Sequence, residues 1–219
     1  MSQNIDLKAV ERKAFRSVHQ DGLWDIYIGG LLLVLSLMFT IPDSGEGELR
    51  TLGLALLGVA IMFAFFQLGK KYITTPRMGQ VRFGPERQKR KIRMSWIMGI
   101  YVLGTLGIFL YSLYVWNLSA SGQAVGVPVS PSLERILVAS LAALIAGTSM
   151  AVISHFKEFM RGYYIALLMA AGFFFTLVFD TTTPMILAGA LILVPGLVLF
   201  INFLRQHPLP RQEAGHDNS

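Results

Sequence analysis

The feature that most constrains this chain is a series of six apolar blocks, each about twenty residues long, at 22–41, 51–69, 95–116, 135–154, 162–179 and 184–204. A helix rises about 1.5 Å per residue, so each block is long enough to cross a hydrocarbon core about 30 Å thick. No block alternates apolar and polar residues with period two, which excludes a barrel of transmembrane strands. Hydrophobic residues make up 53% and charged residues 15% of the 219, a composition too apolar for a soluble domain of this size. The expected fold class is all-α: a polytopic membrane protein of six transmembrane helices.

The cations orient this series. Of nineteen Lys and Arg residues, seventeen fall on one side of the six-span reading and only Arg50 and Arg135 on the other. Cationic loops are retained in the cytoplasm during insertion, so a multi-pass protein of the cell membrane with both termini cytoplasmic is expected. Five or seven spans would scatter the cations over both faces. The first block carries no small-residue cleavage site after its apolar centre and reads as a retained signal-anchor. Three regions follow: a cytoplasmic amphipathic segment at 1–21, a six-helix transmembrane domain at 22–204 and a disordered cytoplasmic tail at 205–219.

Several function classes are excluded at once. The chain has no cysteine, which removes disulfides, thiolate catalysis, Cys-ligated zinc and iron–sulfur clusters. A net charge of +6 invites a nucleic-acid reading, but the cations sit beside membrane spans, where anionic headgroups account for them. No nucleic-acid partner and no cofactor is expected.

Within 1–21, Leu7, Val10, Ala14, Phe15 and Val18 share one helical face flanked by Lys8, Arg12, Lys13 and Arg16, the pattern of a helix lying on the membrane surface. The segment 42–48 is acidic and Gly-containing, as a short external turn requires, and 117–132 is an uncharged loop. Asp180 to Thr183 ends one helix, and Thr183 before Pro184 suits the start of the next. The spans are thus expected as three successive hairpins.

The most distinctive stretch lies between the second and third blocks. Nine cations fall in the twenty-four residues 70–93: Lys70, Lys71, Arg77, Arg82, Arg87, Lys89, Arg90, Lys91 and Arg93. Its first part is rich in β-favouring residues around Gly79 and predicts a small β-hairpin turning at 78–80. Its second part predicts a helix that begins near Pro85 and runs into the third span. The order Pro-Arg-x-Gly-x-Val-x-Phe at 76–83 resembles a group of uncharacterised prokaryotic multi-pass membrane proteins, a resemblance that implies no activity. Such a cation density exceeds what orientation needs, and it predicts contact with anionic lipid headgroups or with an acidic cytoplasmic or membrane protein partner. A pure topology determinant is the competing reading.

Polar residues inside the blocks are few, and each is a candidate intramembrane site because burying it in lipid is costly. Asp25, Gly29, Ser36 and Thr40 fall in one stripe of the first span, and Tyr101, Thr105 and Ser112 in one of the third. The fourth span carries Ala139, Ala143, Gly147 and Ala151 at i+4 spacing, which predicts close packing. Gly99, Gly104 and Gly107 on the third serve internal packing and homo-oligomerisation equally well. Pro195-Gly196 in the sixth predicts a kink or a broken helix. At the cytoplasmic ends, His19, Asp21, Asp25, His155, Glu158 and Arg161 form the one constellation that chemistry would use, with His155 and Glu158 on a shared face. Solvated interface residues explain all six as well, and no metalloprotease, nucleophile-elbow or phosphate-loop pattern accompanies them. No catalytic or metal residue is therefore assigned.

Three readings of function follow, in order. The first is a non-enzymatic accessory, scaffold or regulatory subunit working at the cytoplasmic membrane surface. The second is a small transporter or channel using Asp25 and the Pro195-Gly196 break. The third is a cytoplasmic-face membrane enzyme, which requires His155, Glu158 and Asp21 or Asp25 to converge.

Overall fold

A computed structural model describes residues 21–39, 45–78, 85–120 and 131–208. The described residues are helical, with no strand among them. In chain order the helices are α1 (Leu23–Ser36), extended by a 3₁₀ turn at Leu37–Phe39, α2 (Gly45–Leu68), α3 (Thr75–Met78), α4 (Pro85–Ala120), α5 (Pro131–Lys157), α6 (Arg161–Phe179) and α7 (Thr183–Gln206). Four stretches are long and apolar enough to cross a membrane: Gly53–Arg77, Ser132–Lys157, Arg161–Phe179 and Thr183–Gln206. α1 is apolar but shorter, at 14 residues. Large apolar side chains face outward as well as inward. Trp96, Leu103 and Leu56 are 72%, 68% and 61% exposed, an exterior that suits a bilayer and not water.

Local sequence explains the helix ends. α4 starts at Pro85, where proline's missing amide and preset φ cost a helix least. α5 ends with Glu158 in the left-handed region (φ 53°), the Phe159 N–H bonding the Ser154 carbonyl and the Glu158 N–H that of His155. These two bonds make a Schellman closure. α6 ends in the same way, with Asp180 left-handed and the Thr181 N–H on the Thr176 carbonyl. Three residues then lead into α7, whose first turn holds Pro184.

Three local expectations are corrected. Residues 69–74 form a π-helical turn and 75–78 an α-helical one, so the first arm of the expected β-hairpin is helical. The apolar helix α2 carries on into the basic segment, and its backbone hydrogen bonds are made locally. The π turn is closed by the Thr75 N–H and hydroxyl, both donating to the Lys70 carbonyl, the latter at 2.7 Å. Secondly, 45–48 belong to α2 and 117–120 to α4, which shortens both expected loops. Thirdly, α7 is one helix through Pro195, with no break. Packing of neighbouring helices holds a proline helix together inside a bundle. The amphipathic helix within 1–20, the turn at 79–84, Thr40, Arg82 and the tail beyond 208 lie outside the described residues, as do the side chains of Arg87 and Ser112.

The core forms where α1, α5, α6 and α7 meet, around Ile28, Leu32, Met150, Ile165, Met185 and Ile192. Small residues set the approach of these helices. A Cβ on Gly147 would lie 2.9 Å from the Ala170 Cβ of α6, so the small-residue row of α5 serves packing as expected. α1 and α7 cross with their backbones in close approach. Gly29 of α1 meets the Leu193 amide and Gly189 carbonyl of α7, and Gly196 meets the Asp25 Cβ and Ile26 amide. Gly29 on α1 and Gly189 and Gly196, seven residues apart on α7, thus form one seam. The Asp25, Gly29, Ser36 stripe faces it, and all three are buried. α4 packs mainly on α5, and its Gly99, Gly104 and Gly107 have no neighbour within 4 Å.

Candidate functional site

At the end of the bundle where α1 begins, four interactions tie helix termini together. The segment before α1 supplies Asp21, 0% exposed, whose Oδ1 accepts the Leu23 N–H at 3.3 Å. Its Oδ2 accepts Lys70 Nζ and Thr74 Oγ1, each at 2.7 Å. Lys70 and Thr74 are four residues apart on the π turn, so both reach one carboxylate, and the start of α1 is locked to the end of α2.

One turn into α1, Asp25 accepts Arg161 Nη1 on Oδ2 at 2.6 Å, joining α1 to the first residue of α6. Its Oδ1 is buried and has no hydrogen-bond partner among the described residues. The two side chains differ in exposure, 5% for Asp25 and 35% for Arg161. Removing Arg161 strands a buried carboxylate, whereas Asp25→Asn leaves a guanidinium that water can reach. Arg161→Ala is therefore expected to cost about 2 kcal/mol of stability and Asp25→Asn about half of that. Denaturant unfolding in micelles measures both, and an equal or larger loss in Asp25→Asn would contradict this account.

The third tie brings in the basic segment. Arg90 of α4 donates Nη1 to Glu158 Oε1 at 2.7 Å and Nη2 to the His155 carbonyl at 3.0 Å. It thereby completes the C-terminus of α5, where a cation is favoured by the exposed carbonyls. Glu158 holds a left-handed backbone that costs about 1–2 kcal/mol for a residue with a Cβ. A glycine would sit there more cheaply but could not engage Arg90. The fourth tie is Lys157, whose Nζ lies 3.7 Å from the Trp24 ring centroid, itself packed edge-on against Phe66. Lys157 also feels the charges of Lys70 and Lys91, so the lysines of three helices converge at this end.

Of the constellation read from sequence, His19 lies outside the described residues, and Asp21, Asp25, His155, Glu158 and Arg161 are brought to one end of the bundle but are not joined as an enzyme needs. Asp21, Asp25 and Glu158 each meet a different cation, and no group of three His, Asp or Glu side chains placed to hold a metal occurs among the described residues. The transport candidates also separate. Gly196 is a packing surface for Asp25, and the Thr105 hydroxyl bonds the Tyr101 and Val102 carbonyls of its own helix at 3.0 and 2.9 Å. The Ser36 hydroxyl bonds the Leu33 carbonyl at 2.7 Å. Lys70 and Arg90 serve as anchors, Arg77 is half-buried with its Nη1 on the Ile73 carbonyl at 3.4 Å, and Lys71, Lys89, Lys91 and Arg93 are exposed. Thr74 and the Lys157–Trp24 contact had no distinguishing signal in the sequence. The signal for the ion pairs was the presence of acids among so many cations.

Two clefts flank α4. One, of about 460 Å³, is lined by Lys89, Arg90, Arg93, His155 and Phe156. The other, of about 700 Å³, runs along the opposite face past Lys91, Trp96, Gly99 and Leu103. Neither is lined by Asp25 or by Pro195-Gly196. Comparison with family models, with curated proteins and with solved structures finds no match to this chain.

Proposed function

We propose that this chain is a six-span protein of the cell membrane, with three helical hairpins and cytoplasmic termini. It acts as an accessory, scaffold or regulatory subunit whose basic segment docks on anionic headgroups. The observation that carries this reading is the division of labour among the cations. Lys70 and Arg90, at the two ends of the segment, are tied into the bundle by Asp21 and Glu158. Lys71, Lys89, Lys91 and Arg93 are exposed at the same end. A segment clamped at both ends offers its remaining charges on a rigid support, which lowers the ordering cost of binding. Each cation near an anionic surface contributes about 1 kcal/mol. An acidic protein partner is the alternative occupant.

The test uses the full chain in zwitterionic nanodiscs, floated with vesicles of phosphatidylcholine with or without phosphatidylglycerol. Binding is expected only with phosphatidylglycerol and is expected to weaken with salt. Charge reversal at Lys71, Lys89 and Lys91 together is expected to weaken it by about 3 kcal/mol or more, a factor of more than about a hundred. Equal binding to both vesicles, or an unchanged triple variant, refutes lipid docking. Salt-sensitive recovery of an acidic protein instead would transfer the surface to that partner.

A further inference from the structure

We infer that the cleft between α4 and α5 is a binding site for a phosphomonoester group. The inference rests on the docking reading above and narrows it to one site and one headgroup chemistry. The cleft of about 460 Å³ brings Lys89, Arg90 and Arg93 of α4 against His155 and Phe156 of α5. Arg90 lines it between α4 and the end of α5. With Nη1 on Glu158 and Nη2 on the His155 carbonyl, the guanidinium is held in place and its charge is balanced by Glu158. Lys89 and Arg93 flank it, one residue before and three residues after Arg90, and both are exposed. The imidazole of His155 pairs through Nδ1 with the Tyr163 hydroxyl at 3.4 Å, which leaves Nε2 for a ligand. The Phe156 ring stands edge-on to the imidazole, with centroids 5.7 Å apart, and supplies an apolar wall.

Charge and donor number select the ligand. Counting Arg90 and Glu158 as balanced, Lys89 and Arg93 leave the cleft with two positive charges before any contribution from His155. A phosphomonoester carries about −1.5 to −2 at neutral pH and has three strong acceptor oxygens. A phosphodiester headgroup carries only one charge and offers two such oxygens, so it leaves donors of Lys89, Arg93 and His155 unmatched. The exposed carbonyls at a helix C-terminus oppose an anion, but the carbonyl nearest this cleft, His155, already accepts from Arg90 and from the Glu158 N–H. The site lies on the residues that follow the last apolar turn of α5, so a lipid bearing a terminal phosphate and a free phosphate are both sources of the group.

Native mass spectrometry of the full chain in a nonionic detergent separates the outcomes. The probes are an equimolar mixture of phosphatidic acid and phosphatidylglycerol and, in a second arm, inorganic phosphate. Retention of phosphatidic acid over phosphatidylglycerol by about tenfold is expected. Arg93→Gln and His155→Ala should each abolish that preference, while Arg205→Gln, which removes an exposed cation of α7 outside the cleft, should preserve it. All three positions are exposed, and unchanged melting temperatures confirm that the fold is intact. Displacement of phosphatidic acid by inorganic phosphate would assign the site to a soluble phosphate, and resistance would assign it to the lipid; both support the site. Equal retention of the two lipids, or Arg93→Gln behaving like Arg205→Gln, overturns it. If vesicle docking survives that result, this inference alone fails; if no anionic lipid is retained at all, both fall.

Discussion

Replacing Asp21 by alanine is expected to destabilise the protein by about 4 kcal/mol, because it removes a fully buried carboxylate that three donors share. Three groups lose their acceptor together: Lys70 Nζ, the Thr74 hydroxyl and the Leu23 N–H. The Lys70 side chain is only 19% exposed, so water replaces the carboxylate poorly. The double variant Asp21→Ala, Lys70→Met is expected to recover about half of the loss, since an apolar replacement of a buried pair is often close to neutral. Unfolding in detergent micelles, followed by fluorescence, gives both values. A loss in Asp21→Ala below about 0.5 kcal/mol, the range of an ordinary surface change, would mean that the tie between α1 and α2 does not hold the fold.

A comparable effect is expected at Gly22, for steric reasons. Its φ of 77° lies in the left-handed region, and a Cβ there would collide with the Gly196 carbonyl and lie 2.9 Å from the Phe200 amide. The conformation alone costs a residue with a Cβ about 1–2 kcal/mol, and overpacking adds about 1–3. Gly22→Val is therefore expected to cost about 4 kcal/mol. The two nearest neighbours on α7 are backbone atoms, which cannot move aside as a flexible side chain would. Gly99→Ala is the internal comparison. Gly99 has no neighbour within 4 Å, so alanine's better helix propensity should make that variant neutral or more stable by up to about 1 kcal/mol. Parallel thermal melts decide the matter. If Gly22→Val and Gly99→Ala melt alike, the α1–α7 seam is not what sets the stability of this end.

Asp21 and Gly22 hold different links of one structure. Asp21 joins helices that follow each other in the chain, whereas Gly22 brings together α1 and α7. Gly196 packs on both Gly22 and Asp25, and Asp25 pairs with Arg161, so this end is braced by steric fit and by ion pairing. Unbalanced cations repel, and Asp21 and Glu158 offset two of them at the segment's ends.

The candidate site is partly legible in the amino-acid sequence. Lys70 to Arg93 stand out by charge density, and Asp21, Asp25, His155, Glu158 and Arg161 by their scarcity beside apolar blocks. What each does is not legible there. Lys70 and Arg90 look like their cationic neighbours, yet they are anchors. Pro195-Gly196 looks like a helix break, yet Gly196 is where α1 seats. Composition reports that a residue is small or charged, but not what stands opposite it.

Sequence by itself determined the elements: apolar blocks of bilayer length must satisfy their backbone hydrogen bonds internally and so become helices. Pro85 and the turn at Asp180 mark helix ends through local backbone preferences that need no partner. The tertiary structure decided which helices meet. Asp21 reaches Lys70 across 49 residues, Arg90 reaches Glu158 across 68, and Asp25 reaches Arg161 across 136. Between apolar helices, lipid competes equally well for every apolar face, so the choice of neighbour falls to close-packed glycines and to a few buried charges. Those depend on geometry that no local window of sequence contains.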